Sequence, residues 1–130
     1  MQPIDVKTYE IPFNDLLGIV IKRLHRDGVT LECEVRDDLR NGHGGLHGGV
    51  TATLVDTAVG IGILHVFNGK RPCTTVEMKL NYFLPLVNGK VTARSKLLRV
   101  GSSLAIGSVE IKDGRKRLAA FGTATYKLLI

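Results

Sequence analysis

Tryptophan is absent from this 130-residue chain, which carries only four phenylalanines and three tyrosines. Proteins that hold single-stranded nucleic acid stack its bases on such rings, and sequence readers carry recognisable motifs. Neither is found here, so the formal net charge of +6 does not by itself indicate nucleic acid. A phosphate-bearing small molecule suits a positive field at least as well. The basic residues are scattered (Lys22-Arg23, Lys70-Arg71, Arg94, Arg99, Arg115-Lys116-Arg117) and one by one read as solvated strand faces and loops. Cysteine is also scarce: Cys33 and Cys73 lack motif spacing and read as free thiols of a reducing compartment. The start, MQPIDVKTYE, is polar and unlike a signal peptide, so a cytoplasmic protein is expected. No repeat or linker divides the chain, which predicts one domain over 1–130, large enough for a core without staples.

Charge is scarcest between 50 and 67, where VTATLVDTAVGIGILHVF holds one carboxylate, Asp56, and one histidine. The run approaches the length of a membrane span. Asp56 at its middle, Gly60, Gly62 and three threonines argue instead for a helix buried inside a domain, and no membrane partner is expected. A buried, charged, unpaired carboxylate costs several kcal/mol, so such a group is kept where it is satisfied or where it does chemistry. At about 100° per residue, Val50, Leu54, Ala58, Ile61 and His65 fall opposite Asp56 and form the stripe that packs on a sheet. Gly49, Ala52, Thr53, Gly60 and Ile63 share its side, which is mostly small and leaves room for a ligand or another chain. Gly49, Thr53 and Gly60 are thus candidate substrate-lining residues.

Before the helix lies NGHGGLHGG, residues 41–49. It lacks the lysine and hydroxyl residue that end a nucleoside triphosphate loop. His43 and His47 have an HxxxH spacing, but in a glycine-rich loop and without the metalloprotease glutamate, so no metal is expected. Backbone N–H groups at a helix start attract anions or a developing oxyanion, and Gly48 and Gly49 have no side chain to obstruct them. Gly48 and Asp56 are nevertheless about 12 Å apart along the axis, at about 1.5 Å per residue. One carbonyl cannot touch both within a single chain. If both act on one substrate, two chains contribute, most simply across a two-fold axis.

Alternation and turn residues predict strands at 17–24 and 29–35 around Asp27-Gly28, then at 74–83, 91–100, 104–112 and 117–128, with a helical turn at 11–16. Asn88-Gly89 and Asp113-Gly114 are hairpin signals. The expected architecture is α+β: a long buried helix against a sheet of five to six antiparallel strands, the last four forming a meander.

Asn41, Gly44, Leu46-His47-Gly48-Gly49 and Thr53-Leu54-Val55-Asp56 resemble the signature of hotdog-fold acyl-CoA thioesterases. The nearest branch is the phenylacetic acid degradation (PaaI-type) group, related to one kind of 4-hydroxybenzoyl-CoA thioesterase. Pro12-Phe13, Leu16-Leu17-Gly18-Ile19, Thr75-Val76-Glu77-Met78 and Asn81-Tyr82-Phe83-Leu84-Pro85 extend the resemblance over nearly the whole chain. It implies hydrolysis of an acyl-CoA thioester without cofactor or metal, in a homodimer or a homotetramer built from it. Asp56 would be general base or nucleophile, the Gly48 N–H would polarise the carbonyl, Asn41 would place the thioester oxygen or water, and Thr75 would orient the water. Asp56 and Thr75 would come from one subunit, Asn41 and Gly48 from the other; His47 would brace the loop. Relatives often carry arginine after the turn glycine Gly101, where this chain has Ser102, which shifts the coenzyme A phosphates to other cations, Arg99 among them. A non-catalytic acyl-CoA binder and a hotdog dehydratase using His47 or His65 are the alternatives.

Overall fold

The computed structural model describes residues 10–129; all but the last residue of the polar N-terminal stretch lies outside them. A short helix α1 (Pro12–Leu17) leads into strands β1 (Val20–His25) and β2 (Gly28–Glu34). A single turn at Asp37–Leu39 and the glycine-rich loop then deliver the long helix α2 (Gly48–Val66). Strands β3 (Cys73–Tyr82), β4 (Lys90–Val100), β5 (Leu104–Lys112) and β6 (Leu118–Leu128) follow. The six strands form one antiparallel sheet in the order β1-β2-β4-β5-β6-β3, and α2 packs against β2 to β6.

Intrinsic propensity does not make α2 a helix. It contains four glycines and many β-branched residues, both unfavourable in helix interiors. Tertiary burial makes the difference: Leu54, Val55, Ala58, Val59 and Ile63 are fully enclosed, at roughly 1.5–3 kcal/mol for each large aliphatic side chain. The helix is long and apolar enough to cross a membrane by length and composition, but it is the core helix of this sheet. The strand faces beneath it are lined with small residues, Ala93, Ala105, Ala120 and Ala124 among them, so the helix axis lies close. Gly122 on β6 marks a close approach: a Cβ there would stand 2.8 Å from Val55 Cγ1 and 2.8 Å from the Lys79 carbonyl.

One expectation is overturned. Asn88-Gly89 does not join adjacent strands, and β3 through β6 are not a four-strand meander. Both edges of β4 are taken, by β2 (Cys33 opposite Val91) and by β5 (Ser95 opposite Val109). β3 pairs instead with β6, at the far end of the sheet from β2, so residues 83–89 cross over the end of the helix. Gly89 keeps the positive φ its turn requires, and its carbonyl accepts from Val35 N–H, tying the crossover to the end of β2. A hairpin signal reports local backbone geometry and carries no information about which strands pair. The meander is limited to β4-β5-β6.

The β3 pairing contains a bulge that matters for the site. Thr75 opposes Tyr126, yet the next pair is Glu77 with Thr125, leaving Val76 extra. An unbroken alternation would aim Thr75, Glu77 and Lys79 to the same side. With Val76 inserted, Thr75 shares the helix side with Met78, Leu80 and Tyr82, and the charged residues turn outward.

Gly122→Ala is expected to destabilise the fold by about 1–3 kcal/mol through overpacking against α2. Urea unfolding measures this, and an unchanged midpoint would contradict the close seating of the helix.

Candidate active site

Asp56 is half-buried where α2 meets β3 and β6. Two hydroxyls from opposed positions on those strands converge on the same carboxylate oxygen: Thr75 Oγ1 donates to Oδ1 at 2.8 Å and Tyr126 Oη to Oδ1 at 2.6 Å. Tyr126 Oη also lies 2.7 Å from the Asp56 backbone carbonyl. Oδ2 receives no hydrogen bond from the described residues. Because the Thr75 proton is committed to the carboxylate, that hydroxyl can meet a water only as an acceptor. Burial first, and then the hydrogen bond to Asp56, push the Tyr126 phenol far above its ordinary range, so it stays a donor. Cys73, on β3 with Thr75, has its thiol raised by burial and then by the nearby Asp56 charge, which makes it a poor nucleophile.

The helix start forms a second cluster. His47 is the N-cap, its Nδ1 accepting from Gly49 N–H at 2.8 Å; the ring proton must then sit on Nε2. No described residue accepts the Gly48 N–H, which borders a cleft of about 280 Å³ lined by Asn41, Thr51, Tyr82, Leu84 and Leu86, among others. Asn41 Oδ1 accepts from His43 N–H (2.8 Å) and Gly45 N–H (3.2 Å), holding the loop closed and leaving its amide Nδ2 as a donor. Tyr82 Oη donates to the Gly48 carbonyl at 2.6 Å and anchors the first turn to β3.

The sequence candidates thus divide into two groups within one chain. Asp56 and Thr75 meet at mid-helix; Asn41, His47 and Gly48 meet at its start. Gly49 is exposed and Thr53 half-exposed, on the strip of α2 between the two groups; Thr53 Oγ1 donates to the Gly49 carbonyl at 2.8 Å. Gly60 does not line open space. It is buried, and a Cβ there would lie 2.7 Å from Tyr126 Oη, so its lack of a side chain serves Tyr126 and not a ligand. Arg99 is exposed opposite Ile106 on the outer face of the sheet, turned away from the helix side that holds Asp56. Much of the remaining positive charge there is paired, as in Lys22 and Lys90 with Glu32 and Arg94 with Asp27, which accords with solvated strand faces. Tyr126 was not singled out from sequence, and Tyr82 entered only as part of the Asn81–Pro85 resemblance, without a role. One signal for Tyr126 was available: it is the lone large ring in an inward row of small residues at 120, 122 and 124.

A long central helix enclosed by one six-stranded antiparallel sheet is the hotdog arrangement. The family model for the thioesterase superfamily matches residues 43–120, and the chain belongs to that family, by class a thioester hydrolase. It is 26% identical over 133 aligned positions to the medium/long-chain acyl-CoA thioesterase YigI of Escherichia coli, covering 91% of this chain and 86% of that one. It is 24% identical to the 1,4-dihydroxy-2-naphthoyl-CoA hydrolase of Listeria monocytogenes, with 85% and 90% covered. A conserved protein of Pseudomonas aeruginosa superposes with a TM-score of 0.90 at 25% identity, over 95% of this chain and 98% of that one. A Haemophilus influenzae thioesterase shares the fold at TM-score 0.89 and 21% identity, over 95% and 87%.

Removing the cap by His47→Ala is expected to cost about 1 kcal/mol of stability, read by thermal denaturation. His47→Asn, whose side-chain oxygen can accept from the same amide, should recover most of it. If the asparagine variant is no more stable than the alanine one, the ring is not acting as a cap.

Proposed function

We propose that the protein is an acyl-CoA thioesterase, hydrolysing an acyl-CoA to a carboxylic acid and coenzyme A in an active site shared by two copies of the chain. The observation that carries this reading is the pairing of two incomplete half-sites. Asp56 presents a free Oδ2, Gly48 presents a free N–H, and the helix keeps them too far apart to serve one carbonyl. In a two-fold dimer, Asp56 and Thr75 of one subunit face Asn41 and Gly48 of its partner.

The long β3 edge supports that assembly. No strand of the described residues lies on its outer side, and Val76 (57% exposed) and Tyr82 (55% exposed) stand along it. Such an edge invites pairing with a second strand. The exposed strip of α2 from Gly49 to Asp56 is continuous with the cleft at the helix start, so a partner seated along β3 brings the two half-sites towards each other. Two such dimers can assemble into a tetramer.

The chemistry follows from the groups available. Gly48 N–H, with the dipole of α2 behind it, stabilises negative charge developing on the thioester oxygen. Asn41 Nδ2 orients the same carbonyl or the water. Asp56 Oδ2 takes a proton from the attacking water, or attacks the carbonyl carbon itself and is released by water afterwards. The C–S bond breaks and the coenzyme A thiolate leaves and takes up a proton. Protein groups and water suffice, so no cofactor or metal takes part. The coenzyme A phosphates fall to the basic surface. Two cysteines free of disulfides, Cys33 and Cys73, suit a cytoplasmic location.

The E. coli and Listeria relatives are named for different acyl groups, so a panel of aryl and medium-chain acyl-CoAs, with thiol release as the readout, is the first assay. Asp56→Asn is expected to lower kcat at least 100-fold, within the range of about 10²–10⁴ for loss of a general base. Gly48→Pro removes the N–H at a position where proline is well tolerated by a helix and where His47 already has the extended ψ of 133° that proline requires of its neighbour; it also sets ring atoms beside Tyr82, whose Oη would lie 3.3 Å from the new Cβ. That variant should stay folded and lose about 10²–10³ in kcat. Coexpressing Asp56→Ala with Gly48→Pro should restore about a quarter of wild-type activity, since half the random dimers carry one intact site of two. Activity no higher than that of the separate variants would place the whole site within one chain.

A further inference from the structure

We propose that Tyr126 is a positioning residue of this reaction, holding Asp56 Oδ1 together with Thr75 so that only Oδ2 meets the substrate, and that Gly60 is the notch in α2 that admits its hydroxyl. This rests on the reading of Asp56 as the catalytic carboxylate.

Tyr126 is 6% exposed and sits on a strand whose other helix-facing residues include Ala120, Gly122 and Ala124. A ring that large could not fit under a uniformly close helix. Space for it opens at Gly60, one turn beyond Asp56, where a Cβ would stand 2.7 Å from Tyr126 Oη and 3.1 Å from Cζ. Through that opening the phenol reaches two acceptors, and both belong to Asp56: Oδ1 at 2.6 Å and the backbone carbonyl at 2.7 Å. Phenylalanine would fill the same volume without burying a hydroxyl, so packing alone does not explain the oxygen. The register does the rest. Thr75 and Tyr126 are directly opposed across β3 and β6, which brings their hydroxyls to the carboxylate from adjacent strands.

Two donors on one oxygen fix the plane of a carboxylate that would otherwise rotate about its terminal torsion. They also differentiate its oxygens, one held and one open. The titratable groups facing this point are Asp56, Tyr126 and Cys73, and burial with the carboxylate charge keeps both the phenol and the thiol protonated. Tyr126 therefore acts as a fixed donor and not as an acid or base that turns over. It lies beyond the residues matched by the family model.

The test combines Tyr126→Phe, Gly60→Ala and their double variant, each read for dimer content, thermal midpoint, KM and kcat. Tyr126→Phe is expected to lower kcat roughly 10- to 100-fold, as for loss of a hydrogen bond to a charged group, with KM and the dimer unchanged. Gly60→Ala, which pushes the hydroxyl off the carboxylate, should lower kcat similarly in the native background and no further in the Tyr126→Phe background. A fully active Tyr126→Phe, strictly additive effects, or a kcat loss matched by loss of dimer or by a rise in KM would overturn the assignment. Infrared difference spectra supply a readout independent of turnover: carboxylate bands identified by their loss in Asp56→Asn should shift in Tyr126→Phe. Wild type that turns over no acyl-CoA would sink the proposed function, while unshifted bands would sink the role of Tyr126 whatever the activity.

Discussion

Everything in this protein depends on how closely helix α2 lies in its sheet. The helix is rich in glycine and β-branched residues and would not persist in water by itself. It exists because the strands present alanine and glycine to it, so that Leu54, Val55, Val59 and Ile63 can be enclosed on all sides. Close packing has little tolerance for added volume, and Gly122 against Val55 marks that limit. A helix held so firmly has a fixed rotation and a fixed start. Those two constraints place Asp56 beneath β3 and β6 and aim Gly48 N–H into the cleft beside Tyr82.

The same rigidity separates the chemical groups. A rise of about 1.5 Å per residue cannot bring residue 48 beside residue 56, and no loop adjustment changes that. The unpaired β3 edge and the exposed strip of the helix follow from the same construction, because the sheet covers α2 beyond Asp56 and leaves it open before. Asp56 itself is neither deeply buried nor left bare: two hydroxyls satisfy one oxygen, which offsets the cost of keeping a charge among apolar neighbours. The Val76 bulge and the Gly60 notch are the two local irregularities that bring those hydroxyls into reach. One shifts a strand by a residue, the other removes a single side chain.

The residues of the proposed site were largely legible in the chain. A single carboxylate in eighteen nearly uncharged positions is conspicuous, and HGG before a helix announces a start with free N–H groups. Arg99 and Gly60 were legible only as residue types. Arg99 lies on the outer face because Leu98 bulges out of the β4 pairing, between Leu97 and Arg99, and a bulge leaves no mark in the charge pattern. Gly60 shares the aspartate's side of the helix, as spacing indicated, but whether that side is open depends on what covers it. Tyr126 covers it, from a strand 70 residues beyond Asp56 in the chain.

By itself the sequence determined the element types and their approximate ends, the burial of α2, the isolation of Asp56 and its distance from Gly48. All of these follow from local periodicity and fixed helix geometry, which act over a few residues at a time. Tertiary structure alone decided that β3 pairs with β6 and not with β4, that the Asn88-Gly89 turn belongs to a crossover, and that Thr75 and Tyr126 converge on one carboxylate oxygen. Those outcomes depend on which strand edges remain free once the others are paired, and that competition is settled only when the whole sheet has closed around the helix.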